Sequence, residues 1–267
     1  MSHVLSLLAL LSVTLPGYAQ WFPGADHTLH FYGRVNHWAD SRSKLRTELN
    51  LMEREGVDGY MIELTGWGKQ QWSRRWLRRT SRHYRWLVRQ CRSRHLLLFV
   101  SVVNDNMGHH KYGDSGPLLE EVAGEAEKLM HTIKRRGPRD VLVQPVAETH
   151  TSAGERFETL CIKELTGFTL VYNGEYGFPE TLPEGYLLRA VHPAHIDVQM
   201  PTDAFIVSDH GLIIRELAVD GTLDGPADST KLTSWIQQAD ERRVPAIGYY
   251  AFQRRDVDPA AIKALGR

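Results

Sequence analysis

The stretch Asp140-Val-Leu-Val-Gln-Pro-Val-Ala-Glu148-Thr-His150 decides how this chain is read. Val141 to Val146 has strand length and is apolar except for Gln144, and it runs straight into a carboxylate and an imidazole. The same arrangement recurs along the sequence: an apolar run, then acids, amides, histidines or tryptophans, then a helix-like segment. Parallel α/β sheets gather their polar loops at the carboxyl ends of the strands, because those loops converge on one face. The repetition predicts a barrel with a polar mouth.

Working outward, apolar runs predict strands over 29–34, 57–63, 96–103, 141–146, 168–172, 185–191, 204–208 and 244–252. Amphipathic spacing predicts helices over 41–55, 70–92, 118–135, 153–164, 230–243 and 258–265. The fold class expected is α/β, a single (β/α)8 TIM-like barrel. Residues 175–184 carry two prolines and no good helix, and 193–203 are similar, so the helices after strands five and six are expected to be short or missing. A doubly wound open sheet is the structural alternative. No glycine-rich phosphate loop follows the first strand, which weakens a nucleotide-binding version.

Val4 to Leu15 is an apolar run broken only by Ser and Thr, and Gly17-Tyr18-Ala19 follows. Small residues at those positions suit a signal peptidase, so 1–19 is expected to be an export signal and the mature protein secreted or periplasmic. Residues 20–267 then form one catalytic domain, close to the roughly 250 residues usual for such a barrel. Lys plus Arg total 32 and Asp plus Glu total 32, so nothing in the balance asks for nucleic acid. The charge is uneven, however: Trp72 to Arg94 holds nine Arg and no acid. This predicted helix reads as a solvated face, and its functional version is contact with an anionic glycan or surface. Cys91 and Cys161 fall on different predicted helices and read as two buried free thiols. No integral membrane segment is expected beyond the leader.

The predicted strand ends carry Glu63, Asp105, Glu148, Glu175, Asp209 and Asp256, with the amides Asn36, Asn104, Gln144 and Asn173 among them. His37, Trp38 and Trp67 stand just past strands one and two, and Tyr176 and Tyr250 near the ends of five and eight. Acids and amides hydrogen-bond hydroxyls, and aromatic faces stack on the apolar side of a sugar ring. Two carboxyls then cut the glycosidic bond, one as acid and one as nucleophile or base. Glu63, the four amides, His37, Trp38, Trp67, Tyr176 and Tyr250 are therefore candidate carbohydrate-binding residues.

With these residues in place, the chain resembles the TIM-barrel glycoside hydrolases, in which one acid follows strand four and a second follows a later strand. The resemblance covers the barrel pattern from Leu29 to Leu265. It implies hydrolysis of O-glycosidic bonds in a poly- or oligosaccharide without a cofactor or metal. It implies Glu148 as general acid/base, Asp209 as nucleophile or base, and Glu175 as the reserve. In the best-known clan an Asn directly precedes the strand-four Glu, and a Glu follows strand seven. Here Ala147 and Asp209 stand at those positions.

Two rival readings start from the same residues. His37, His109, His110, His150, His192, His195 and His210 all fall near predicted strand ends, and with Glu148 and Asp209 they could form a metal-dependent barrel hydrolase. They lack diagnostic spacing. The third reading is a barrel that binds glycans without cutting them.

Overall fold

The computed structural model describes residues 26–34, 40–66, 74–105, 116–147, 149, 151–173, 182–191, 212–214, 229–251 and 257–267. Within them the strands are β1 (Leu29–Arg34), β2 (Gly59–Gly66), β3 (Leu97–Asn104), β4 (Val141–Ala147), β5 (Thr169–Tyr172), β6 (Leu188–Val191), β7 (Leu212–Ile214) and β8 (Ala246–Ala251). The helices are α1 (Arg42–Glu55), α2 (Arg74–Arg92), α3 (Gly116–Lys134), α4 (Ser152–Glu164), α5 (Ser229–Glu241) and α6 (Pro259–Leu265). The strands pair in parallel in chain order, and β8 returns to β1 from Leu29↔Ala246 to Arg34↔Ala251, so the order closes on itself.

Two apolar cores follow from the pleat. Successive strand residues point to opposite sides, so one set faces inward and the other outward. Leu29, Phe31, Met61, Phe99, Leu142, Val171, Leu188, Ala190 and Ala246 pack together, and every one comes from a strand. This is the inside of the curled sheet. The alternate residues, among them Tyr60, Ile62, Val100 and Val143, pack against helix residues such as Leu45, Leu49, Leu87 and Leu129. Phe31 has room inside because its register partner on β2 is Gly59. A Cβ on Gly59 would come within 2.3 Å of the Phe31 ring.

Helix ends are set by local chemistry. The Ser41 hydroxyl accepts the Lys44 amide at the start of α1, and Asp258 accepts the Ala261 amide at the start of α6, with Pro259 in the first turn. Cys91 on α2 and Cys161 on α4 are both free and buried, as the sequence predicts. Burial pushes the Cys91 thiol up to about 12, which keeps it inert.

Charges at the amino end of the sheet satisfy one another. His27 hydrogen-bonds Asp58 at 3.0 Å, and the other Asp58 oxygen accepts the His30 amide at 2.7 Å. The His30 ring meets the Leu265 carbonyl at 2.8 Å, tying β1 to α6. In folds of this kind that end serves stability.

Several sequence expectations are corrected. β2 extends to Gly66, so Glu63, expected at a strand end, lies within the strand. The described seventh strand is Leu212–Ile214 and therefore follows Asp209 in the chain, whereas 204–208 was expected to precede it. Residues 204–208 lie outside the described residues, as do 174–181 and 192–211. The expected shortening of the helices after strands five and six falls mostly there; the described residues 182–187 hold no helix. The expected export segment 1–19 also lies outside them. Among the described residues no helix is long and apolar enough to cross a membrane.

Candidate active site

The inner face changes character within one pleat. Met61, Phe99, Leu142 and Val171 belong to the inner apolar core. Two residues further along, on the same side, stand Glu63, Ser101 and Gln144 within their strands and Asn173 just past the end of β5. Glu63 pairs in register with Ser101, and Ser101 with Gln144, so three adjacent strands carry one lateral polar row. Ser101, Gln144 and Asn173 are buried and Glu63 is half-buried. An apolar floor is thus capped, toward the carboxyl ends of the strands, by an acid, a hydroxyl and two amides. Asn104 ends β3, buried, in register between Gly66 and Ala147.

The loops around this row are anchored by buried ionic contacts. Arg34, the last residue of β1, is fully buried and reaches outward to α1. Its Nε donates to Glu48 Oε1 at 2.8 Å and its Nη2 to Glu48 Oε2 at 2.7 Å. Nη2 also donates to Asp40, which lies on the far side of residues 35–39. Lys44 pairs with the other Asp40 oxygen at 3.1 Å. Burial raises the Glu48 carboxyl above its ordinary range, and the Arg34 guanidinium pulls it back. The bidentate geometry is that of an ionised pair.

Asp105 plays the same part after β3. It is fully buried. Its Oδ2 accepts the Thr151 amide at 2.7 Å and its Oδ1 accepts the Thr151 hydroxyl at 2.9 Å. That hydroxyl in turn accepts the Gly154 amide at 3.1 Å and caps α4. A Cβ on Gly154 would lie 2.5 Å from Asp105 Oδ2, so only glycine admits this close approach. Asp105 therefore fixes the chain immediately after residues 148–150.

On α4, Glu158 accepts the Tyr186 hydroxyl at 3.0 Å, and Tyr186 meets Tyr172 edge-on with centroids 5.2 Å apart. Burial pushes the Glu158 carboxyl up to about 7; the Tyr186 hydrogen bond opposes the rise and the Asp105 carboxylate adds to it.

The register sets Glu63 and Gln144 on one row through Ser101, with Asn104 further along at the same end of the sheet. Asn173, just past β5, lies two residues beyond the level of Gln144. Tyr250 holds a β8 position in register with Gly33, and its side chain lies outside the described residues. Glu148, Asp209, Glu175, Asn36, His37, Trp38, Trp67 and Tyr176 also lie outside them, as do the seven histidines named above. Among the described residues no group of three His, Cys, Asp or Glu side chains has metal-ligand placement. Sequence reasoning missed Ser101, which looks like filler in an apolar run, and the Arg34–Glu48 pair. Asp105 was legible as a strand-end acid but not as the clamp on Thr151.

No protein-family model matches the chain, and no curated protein matches it by sequence. Solved structures do match its fold. Thermotoga maritima Cel5A in complex with cellobiose superposes with a TM-score of 0.63 at 10% identity, over 90% of this chain and 97% of that one. A glycoside hydrolase family 5 enzyme from Prevotella bryantii gives 0.51 at 12% identity, over 90% and 94%. A family 5 glycoside hydrolase from Bacteroides vulgatus gives 0.56 at 9% identity over 86% of this chain. The match spans 59% of the length of that last structure. These likenesses are of fold, and they agree with the resemblance to TIM-barrel glycoside hydrolases read from the sequence.

Proposed function

We propose that the chain is an exported (β/α)8 glycoside hydrolase acting on an oligo- or polysaccharide at the carboxyl ends of its strands. One observation carries this reading: the inner polar row Glu63–Ser101–Gln144, with Asn173, laid over an apolar floor in this fold. Fold alone does not define chemistry. Side chains that bind hydroxyls, set where such barrels do their work, favour a sugar.

Glu148, directly after β4, is the proposed general acid/base. It protonates the leaving glycosidic oxygen as the bond to the anomeric carbon breaks. A second carboxylate attacks that carbon, and water, deprotonated by Glu148, then releases the sugar. If the second carboxylate acts instead as base, water attacks directly. Asp209 owed this role to its expected place after strand seven, and the described β7 follows it. Glu175 therefore moves ahead.

The test is a screen of the purified chain against β-linked gluco- and manno-oligosaccharides and aryl glycosides, followed by Glu175→Gln and Asp209→Asn on any substrate found. The proposal expects loss of turnover in Glu175→Gln with folding retained. Full activity in Glu175→Gln and none in Asp209→Asn would return the role to Asp209. Activity abolished by a chelator and restored by zinc would replace the reading with a metal-dependent hydrolase.

A further inference from the structure

α2 carries an arginine stripe. Arg75, Arg78, Arg82, Arg85, Arg89 and Arg92 recur at steps of three and four residues, which sets them along one side of the helix. The opposite side, with Leu77, Tyr84, Leu87, Val88 and Cys91, is buried against the sheet. Like charges at these spacings repel and weaken a helix. No acid in α2 offsets them. Arg92 is tied down by the Arg139 carbonyl at 2.7 Å and Arg85 by the Ser81 carbonyl at 3.1 Å. Arg75, Arg78, Arg82 and Arg89 are exposed and make no ion pair among the described residues.

Neighbouring α1 widens the basic face. Arg42 and Arg46 lie over the Trp86 ring, at 5.7 and 5.8 Å from its centroid. Beneath them burial, and then the charges of Arg42 and Arg79, push His83 down to about 4, so it adds no proton to the face at neutral pH. The whole chain is charge-balanced, so this concentration is local.

We infer that the α1–α2 face is a binding surface for a linear acidic polysaccharide. It lies apart from the proposed cleft and does not depend on hydrolysis there. The stripe is straight and spans about 26 Å, with successive positions about 4.5–6 Å apart along the axis. That step suits an extended chain bearing a carboxylate or sulfate on each sugar or every second one. Guanidinium groups take such oxyanions in bidentate fashion. Two other polyanions fit less well. A membrane surface calls for apolar side chains beside the basic ones, and α2 exposes no large hydrophobic residue. Single-stranded nucleic acid calls for a row of open rings to stack on; Tyr84 and Trp86 are buried, and Trp76 alone is half-buried among the Trp and Tyr rings of α2.

The test is binding of the full chain to polygalacturonate, with dextran as neutral control, duplex DNA and phosphatidylglycerol vesicles as competitors, and salt as the variable. The inference expects binding to polygalacturonate and none to dextran, weakening steeply as salt screens the charges. Arg78→Gln/Arg82→Gln/Arg89→Gln should bind roughly tenfold or more weakly, with a melting temperature unchanged or raised, since like-charge repulsion is removed. If the triple variant does not fold, Arg82→Gln and Arg89→Gln are measured singly for the same loss. Three results would overturn the inference: no binding of polygalacturonate, wild-type affinity in the folded variants, or preference for DNA or vesicles. Binding is the readout, so failure here leaves the glycosidase proposal standing, and the reverse also holds.

Discussion

The Asp105 carboxylate takes both donors of Thr151, the backbone amide at 2.7 Å and the hydroxyl at 2.9 Å. One buried acid at the end of β3 thereby fixes the first turn of α4, and with it the far end of the short segment that carries Glu148. The parallel device at β1 is Arg34, which joins Asp40 to Glu48 across residues 35–39. Each device ties a residue at or next to a strand end to a helix later in the chain, α1 for Arg34 and α4 for Asp105.

Removing the Asp105 clamp should cost stability. Asp105→Ala leaves the Thr151 amide buried without its acceptor, for a loss of about 2–3 kcal/mol in urea unfolding. Gly154→Ala forces a Cβ toward the same carboxylate and should cost about 1–3 kcal/mol. Wild-type stability in both variants would show that the clamp does not hold α4.

Glu48→Gln leaves Arg34 charged and underpaired in a fully buried position. Breaking a buried pair in this way costs about 3–5 kcal/mol. Replacing both partners, Arg34→Met with Glu48→Leu, should recover part of that loss, because desolvated charge is removed together with the attraction. A double variant less stable than Glu48→Gln would contradict this account of β1 and α1.

Glu158 predicts a pH signature. Its folded carboxyl is raised to about 7 from an ordinary 4.5. The folded state then holds a proton that the unfolded state has released, so the contribution to stability is fully present below about 4.5 and is lost as pH rises through about 7. Glu158→Gln carries no such charge and still accepts the Tyr186 hydroxyl. It should melt higher than wild type at pH 8, by an amount worth about 1–3 kcal/mol, and nearly level with it at pH 4.5. Equal differences at both pH values would remove burial of Glu158 as the cause.

Much of this could be read from the chain before its structure. β3 and β4 are largely apolar runs, interrupted inside by Ser101 and Gln144 and buried on both faces, and such runs announce parallel strands. β7 could not be read in the same way. Leu212–Ile214 is too short to stand out, and 204–208 offers a more persuasive run with an acid after it. The amides Gln144 and Asn173 were legible as polar residues in or beside apolar strands. Ser101 was not, because its meaning lies in register: only the β2–β3 and β3–β4 ladders reveal that it joins Glu63 to Gln144. The Arg34–Glu48 pair needed the packing of α1 on β1, which no single-strand pattern contains.

Glu63 is the half-buried member of the polar row and its acid. Glu63→Gln is nearly isosteric, so it should fold like wild type. It should raise KM by roughly tenfold, about 1.4 kcal/mol of lost binding, with a smaller change in kcat. An unchanged KM on a substrate that the wild type cleaves would exclude Glu63 from sugar binding.

The most direct test of the glycosidase account compares the wild type with Glu148→Gln on paired substrates, a natural oligosaccharide and an aryl glycoside with a good leaving group. A missing proton donor matters most when the leaving oxygen is basic. The account predicts a loss of about 10²-fold or more in kcat/KM on the oligosaccharide and a much smaller loss on the activated aryl glycoside. Equal activity of the two proteins on both substrates would contradict it.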